Sequence, residues 1–257
     1  HLFIMTSDKN HSATTAFFEE QNYFGYDRTY VHFFQQEMAP ASDYDGKAFL
    51  EEKWKPATSP NGNGGWFSSM IRSGMLDIIK TAGIEWLNVF AVDNVLQRIA
   101  DPVFIGAVLD GGYHCGSKVI RKVSPDEKVG VMCLEDGRPS IVEYYELTQE
   151  MREQTDEHGQ PAYNFGVILN YLFQIAPLEK IAREQLPLHL AEKKIPHIDM
   201  QGNHIKPEQP NGYKFETFIL DMIYLLNDCL PFEVVREKEF APIKNKTGTD
   251  SVDSARK

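Results

Sequence analysis

The chain has 257 residues, 42% of them hydrophobic and 25% charged, a balance that rules out a collagen, a coiled coil and an intrinsically disordered chain. At roughly 150 residues per domain it allows one large α/β domain or two small ones. Twenty-six Lys and Arg against 37 Asp and Glu leave a net charge of −11, which argues against general nucleic-acid binding and against attraction to an anionic membrane, since both need a basic face.

Taken in chain order, short apolar runs alternate with helical patterns, the signature of an α/β protein. Leu2 to Thr6 reads as a strand, Thr14 to Tyr23 as a helix stopped by Gly25, and Val31 to Phe34 as a second strand. Gly64 to Ala82 reads as one long helix entered through glycines and closed by Gly83. Trp86 to Val92 is a buried strand, and Pro102 to Leu109 is a short helix with proline at its start. A more antiparallel stretch follows: Lys118 to Val123, Lys128 to Leu134 and Ser140 to Glu146, with Asp136-Gly137 as a hairpin turn between the last two. Leu178 to Gln185 is expected to be helical. Phe215, Phe218, Ile219, Met222, Leu225, Leu226 and Cys229 form the apolar stripe of an amphipathic helix that Lys214 begins. Phe232 to Arg236 is the last strand, and from Lys244 onward the composition turns polar.

Cys115, Cys133 and Cys229 are widely spaced and form no C-x-x-C, which fits a reducing compartment, the cytoplasm, and not a disulfide or zinc framework. The most apolar stretch, Phe218 to Phe232, is interrupted by Asp221, Asn227 and Asp228, so no run approaches the ~18 residues of a membrane span. The opening His1-Leu2-Phe3-Ile4-Met5 has no initiator Met and no polar lead-in; a fragment that starts inside a strand is expected.

With so acidic a balance, a phosphorylated ligand must be held by a few placed cations, backbone amides or a metal ion. Ser59-Pro60-Asn61-Gly62-Asn63-Gly64-Gly65 puts three glycines in four residues. As a pattern it reads either as a loop that lets backbone approach a phosphate or sugar oxygen, or as a plain turn before a helix. Asp93-Asn94 directly follows the buried strand, the place where open α/β sheets bind ligands. One carboxylate there suffices for Mg²⁺, and it serves equally as an N-cap. Lys214 and Lys244 read by pattern as solvated lysines, and Val142 to Glu146 reads as an outward strand face. His189, His197 and His204 lack metal-ligand spacing.

Together these segments resemble the eukaryotic-type UDP-N-acetylhexosamine pyrophosphorylases, within the wider UDP-sugar pyrophosphorylase group. The matching runs include Ile4-Met5-Thr6-Ser7, Phe33-Phe34-Gln35-Gln36, Pro60 to Gly65, Val92-Asp93-Asn94 and Cys115-Gly116-Ser117-Lys118-Val119. Val129-Gly130-Val131, Val142-Glu143-Tyr144, Pro210-Asn211-Gly212 and Glu239 to Asn245 follow in the same order. The resemblance implies a nucleotide-diphospho-sugar transferase fold, GT-A or Rossmann-like, with a mixed sheet flanked by helices and its N-terminal part missing. It implies a catalytic domain over residues 1–244 and a polar tail or linker over 245–257.

It further implies a Mg²⁺-dependent uridylyltransferase that joins UTP to a sugar 1-phosphate, giving UDP-sugar and pyrophosphate. N-acetylglucosamine 1-phosphate is the favoured acceptor, ahead of glucose or galactose 1-phosphate. Carried over residue by residue, Gln36, Pro60 and Gly62 face the uridine, and Asn63, Gly130, Glu143, Tyr144 and Phe218 face the sugar. Asp93 holds the metal and with it binds the nucleotide, and Lys214 and Lys244 are the catalytic cations that contact the phosphates. Three departures stand against the family pattern: its glycine-rich loop ending in Pro-Lys would lie before His1, Asn61 replaces an aspartate, and Val167 and Leu220 replace a sugar-contacting asparagine and a pocket phenylalanine. A non-catalytic UDP-sugar-binding protein that lacks the phosphate loop is the alternative. A glycosyltransferase ranks last, because no D-x-D stands at Asp93-Asn94-Val95.

Overall fold

The computed structural model describes every residue except Arg183, Gln185 and Lys257. The chain divides into two compact units, residues 1–84 with 182–222, and residues 85–181 with 223–257.

In the first unit Leu2–Thr6 and Val31–Gln35 pair in parallel, joined by the helix His11–Glu20. That helix starts three residues before the expected Thr14 and ends at Glu20. Three successive residues, Asn22, Tyr23 and Phe24, then take left-handed backbone before Gly25, so Gly25 ends that turn instead of capping the helix. Met38–Pro40 pairs antiparallel with Thr58–Pro60, and His189–Lys193 with Gly212–Glu216. The single helix expected from Gly64 to Ala82 is two: Trp66–Arg72 and Met75–Thr81. Gly74, at φ 79°, leaves the right-handed region and breaks it. Both pieces bury an apolar face, with Trp66, Phe67, Met70 and Ile79 inside.

The second unit is built on a six-stranded mixed sheet. Its spatial order is Arg138–Val142, Val131–Glu135, Phe165–Gln174, Cys115–Arg121 and Leu230–Glu233, and Trp86–Phe90 pairs with the far end of Phe165–Gln174. Only Leu230–Glu233 runs parallel to its neighbour. The central strand Phe165–Gln174 was not predicted from sequence. Its run Phe-Gly-Val-Ile-Leu-Asn-Tyr-Leu-Phe-Gln places apolar residues on both faces and so shows no polar–apolar alternation, although burial alternates as far as Asn170 and becomes continuous only over Tyr171–Phe173. A register shift between Val167 and Tyr171, with Leu169 at φ 52°, bends it. The expected hairpin at Asp136-Gly137 is present, with both residues at positive φ, 50° and 79°, as a two-residue turn of this kind requires.

Several boundaries move. The helix at Pro102 runs Pro102–Asp110. The helix expected over Leu178 to Gln185 is Ile175–Ile181, and Gln185 lies outside the described residues. The apolar stripe from Phe215 to Cys229 divides between the strand Gly212–Glu216 and the helix Ile219–Leu226. Lys214 therefore lies within a strand instead of starting the helix. The stretch from Asn245, expected as a tail or linker, carries a short helix Val252–Ala255 capped by the buried Ser251. Among the described residues no helix is long and apolar enough to cross a membrane. The cysteines are unpaired. Cys115 Sγ stands 3.3 Å from Cys229 Sγ, and burial pushes the Cys115 thiol up.

Candidate functional site

In the first unit the glycine-rich loop is zipped onto the chain at Thr217–Ile219. The Asn61 carbonyl accepts from the Thr217 amide at 2.7 Å, and the Gly64 amide donates to the Thr217 carbonyl at 2.8 Å. Asn63 Oδ1 accepts from the Ile219 amide at 3.0 Å, which satisfies a free donor at the start of the helix Ile219–Leu226. A Cβ on Gly62 would stand 2.3 Å from the Thr217 carbonyl oxygen, and one on Gly64 would stand 2.6 Å from Phe218 backbone atoms. The glycines thus first serve the close approach of two stretches of backbone. The helix that follows the loop has only seven residues.

Gly64→Ala is accordingly expected to lower stability by about 1–3 kcal/mol through overpacking alone. Urea unfolding checks it, the midpoint falling while the slope stays the same.

Gln36 directly follows the strand Val31–Gln35, its amide donating to the Thr6 carbonyl at 2.8 Å. The next residue, Glu37, accepts from the Asn61 amide at 3.3 Å, and Pro60 pairs with Met38. The fold therefore brings Gln36, Pro60, Gly62, Asn63 and Phe218 to one region of this unit. Lys214 lies three residues before Thr217, paired with Ala191 in register. Phe218 is braced by a residue that spacing alone left without a role: the His189 ring packs against it, tilted by 44° with the centroids 4.7 Å apart. His189 Nε2 lies 3.0 Å from Asp221 Oδ2, and Asp221 Oδ2 also accepts from the Phe218 amide at 3.2 Å.

In the second unit the strand expected to reach Val92 ends at Phe90 and Val92 is exposed, so Asp93 lies three residues beyond the strand instead of directly after it. Lys244 Nζ is 3.4 Å from Asp93 Oδ2, and the two side chains are 59% and 27% exposed. The pair is held by a backbone hydrogen bond and by the side chain of the neighbouring Asn94. The Ile243 amide donates to the Asp93 carbonyl at 2.8 Å, the Asn94 Nδ2 donates to the Glu239 carbonyl at 2.7 Å, and the Ala241 amide donates to Asn94 Oδ1 at 2.9 Å. The carboxylate that caps the next helix is Asp101, whose Oδ1 accepts from the Val103 amide at 3.1 Å. That leaves the Asp93 carboxylate clear of capping. Burial raises the Asp101 carboxyl, but hydrogen bonds from Lys118 and Val103 and the charges of Lys118 and Arg98 outweigh it and hold it below the usual carboxylate range.

Gly130 is buried beside Val131–Glu135. A Cβ there would meet Ile141 at 3.2 Å, Val167 at 3.4 Å and Glu143 Oε2 at 3.5 Å. Gly130, Glu143 and the departing Val167 thus share one spot, while Tyr144 is exposed against the Tyr145 ring. Among the described residues no three His, Cys, Asp or Glu side chains cluster as a metal cage. Asp93 with its partly exposed carboxylate suits a hard cation that keeps its waters and phosphate oxygens and needs one protein ligand. It does not suit zinc.

The mixed sheet carrying helices matches, over nearly the whole chain, the nucleotide-diphospho-sugar transferase fold of solved UDP-sugar pyrophosphorylases. The sequence profile of the family described as UTP–glucose-1-phosphate uridylyltransferase matches residues 1–253, and the chain belongs to that family. It is 43% identical over 251 residues to the mouse (Mus musculus) UDP-N-acetylhexosamine pyrophosphorylase-like protein 1, covering 96% of this chain and 50% of that protein. It is 37% identical over 254 residues to the UDP-N-acetylglucosamine pyrophosphorylase of Saccharomyces cerevisiae, covering 96% and 53%. The crystal structure of the uridine diphosphate N-acetylglucosamine pyrophosphorylase from Trypanosoma brucei in complex with inhibitor superposes with a TM-score of 0.87 at 29% identity, over 99% of this chain and 52% of that one. The chain spans about half the length of the curated relatives it matches.

Proposed function

We propose that this chain supplies the catalytic nucleotidyltransferase region, residues 1–244, of a cytoplasmic UTP:sugar-1-phosphate uridylyltransferase. Its substrates are UTP and a sugar 1-phosphate, with N-acetylglucosamine 1-phosphate first and glucose or galactose 1-phosphate behind it. Its products are the UDP-sugar and pyrophosphate. The observation that carries this reading is the Asp93–Lys244 pair near a strand end in a chain of the uridylyltransferase family. The names of the Dictyostelium discoideum and Saccharomyces cerevisiae relatives favour N-acetylglucosamine.

The chemistry asks little of the protein beyond placement. An oxygen of the sugar phosphate, already ionised at neutral pH, attacks the α-phosphorus of UTP. The bond from that phosphorus to the bridging oxygen breaks, and pyrophosphate leaves with the electron pair. No general base and no covalent intermediate are needed. The work is to bring two anions together and to stabilise charge on the transferring phosphorus and the leaving group. Lys214 and Lys244 supply cations for that. Asp93 would hold Mg²⁺, which when bound neutralises phosphate charge. Gln36, Pro60 and Gly62 take the uridine. The family resemblance assigns to sugar, each within its own unit, Asn63 and Phe218 in the first and Gly130, Glu143 and Tyr144 in the second. Asn63 spends Oδ1 on the Ile219 amide, which leaves its amide nitrogen to donate.

The test is a panel of sugar 1-phosphates with UTP and Mg²⁺ in the whole protein, read as pyrophosphate release. Release with N-acetylglucosamine 1-phosphate in the lead is expected. Binding of UDP-sugar with no release from any member would overturn the reading in favour of a binding protein.

A further inference from the structure

The second unit has an ionic point in its core. Lys118 is fully buried. Its Nζ donates to Asp101 Oδ2 at 2.8 Å and to Glu239 Oε2 at 2.5 Å, over the Phe104 ring at 5.5 Å from its centroid. Arg98 approaches the same two carboxylates at 3.9 and 3.8 Å from an exposed position. Such a buried group adds little net stability over apolar residues of the same volume, because desolvation offsets attraction; its best-attested use is to fix which close-packed arrangement forms.

What it fixes here can be read from the chain. Asp101 closes the loop that Asp93 opens, and Glu239 opens the segment that Lys244 closes. Between those ends the two segments bridge at Asn94 and Pro242, tied by the Asn94 and Asp93 hydrogen bonds described above. The loop's other side is tied as well: the Ala100 amide donates to Asn88 Oδ1 at 2.9 Å, and Asn170 Nδ2 donates to Gln97 Oε1 at 2.6 Å. Apolar contacts are undirected and do not forbid a one-residue slip of 239–244 along 93–101. Such a slip would break the Asn94 and Asp93 hydrogen bonds across the bridge and carry Lys244 away from Asp93.

We propose that Lys118 is a positioning residue: with Asp101 and Glu239 it sets the register between the segments that carry Asp93 and Lys244. The proposal rests on the reading of that pair as phosphate-handling groups only for its effect on turnover.

Lys118→Met alone strands two buried carboxylates and is expected to unfold the protein. The neutral triple variant K118M/D101N/E239Q keeps volume and the helix cap, and is the test. In the whole protein it is expected to melt no lower than the parent, while the amides of Ala241 and Ile243 exchange hydrogen about tenfold faster or more. Turnover is expected to fall about tenfold with the KM for UTP unchanged. Unchanged exchange at those two amides overturns the proposal, whatever the turnover. So does faster exchange across the whole unit with a lower melting temperature, which marks a merely structural role. If exchange quickens at those amides alone but turnover is normal in the triple variant and in Asp93→Asn, the register device stands and the phosphate-handling reading fails.

Discussion

Asp93→Asn is expected to cut pyrophosphate release at saturating Mg²⁺ by about 10²–10³-fold. The change keeps the shape of the side chain and the backbone contact from Ile243 to the Asp93 carbonyl. It removes one negative charge from the partly exposed carboxylate facing Lys244. Binding of UDP-sugar should be much less affected, because the residues assigned to uridine lie elsewhere. A titration of Mg²⁺ against rate checks it: the half-saturating concentration should rise as the maximal rate falls. Near-normal turnover would remove Asp93 as the metal ligand.

Lys244→Ala is expected to raise the KM for the sugar 1-phosphate about ten- to a hundredfold, with a smaller effect on UTP. Lys244 is well exposed, its backbone amide is held by the Asp250 carbonyl at 2.7 Å, and truncation removes only the cation. Initial rates over both substrates separate the two effects, and an unchanged dependence on the sugar phosphate would reject the assignment. Because Asp93 and Lys244 touch, the double variant should cost less than the two single variants multiplied.

How much of this was legible in the sequence differs by element. Leu2–Thr6 and the Asp136-Gly137 hairpin could be read directly, one from an apolar run and the other from turn chemistry. The central strand Phe165–Gln174 could not, since a continuously apolar run with a left-handed residue at Leu169 matches neither period. The stripe from Phe215 to Cys229 misled because strand and helix share apolar residues across Thr217. In the site, the place of Asp93 near a strand end marked it as a candidate but left an N-cap as the alternative, and its metal role came from family resemblance. Lys214 and Lys244 came only from family resemblance, as a lysine's pattern says nothing about its neighbours. The Lys118 group was invisible for a physical reason: its two acceptors lie 17 and 121 residues away in sequence, and a strand lysine reads as solvent-facing until its neighbours are known. His189 was hidden in the same way behind Asp221.

The seam between the glycine loop and Thr217–Phe218 bears on how such a protein could be re-engineered. Because a Cβ at Gly62 or Gly64 would stand only 2.3 to 2.6 Å from the backbone of Thr217 and Phe218, residues 59–65 and 212–221 should be moved together as one cassette. A graft that moves one without its counterpart meets a mismatched surface before any ligand is involved. Swaps of substrate preference in this unit should therefore transplant both segments at once, or work through side chains that point away from the seam.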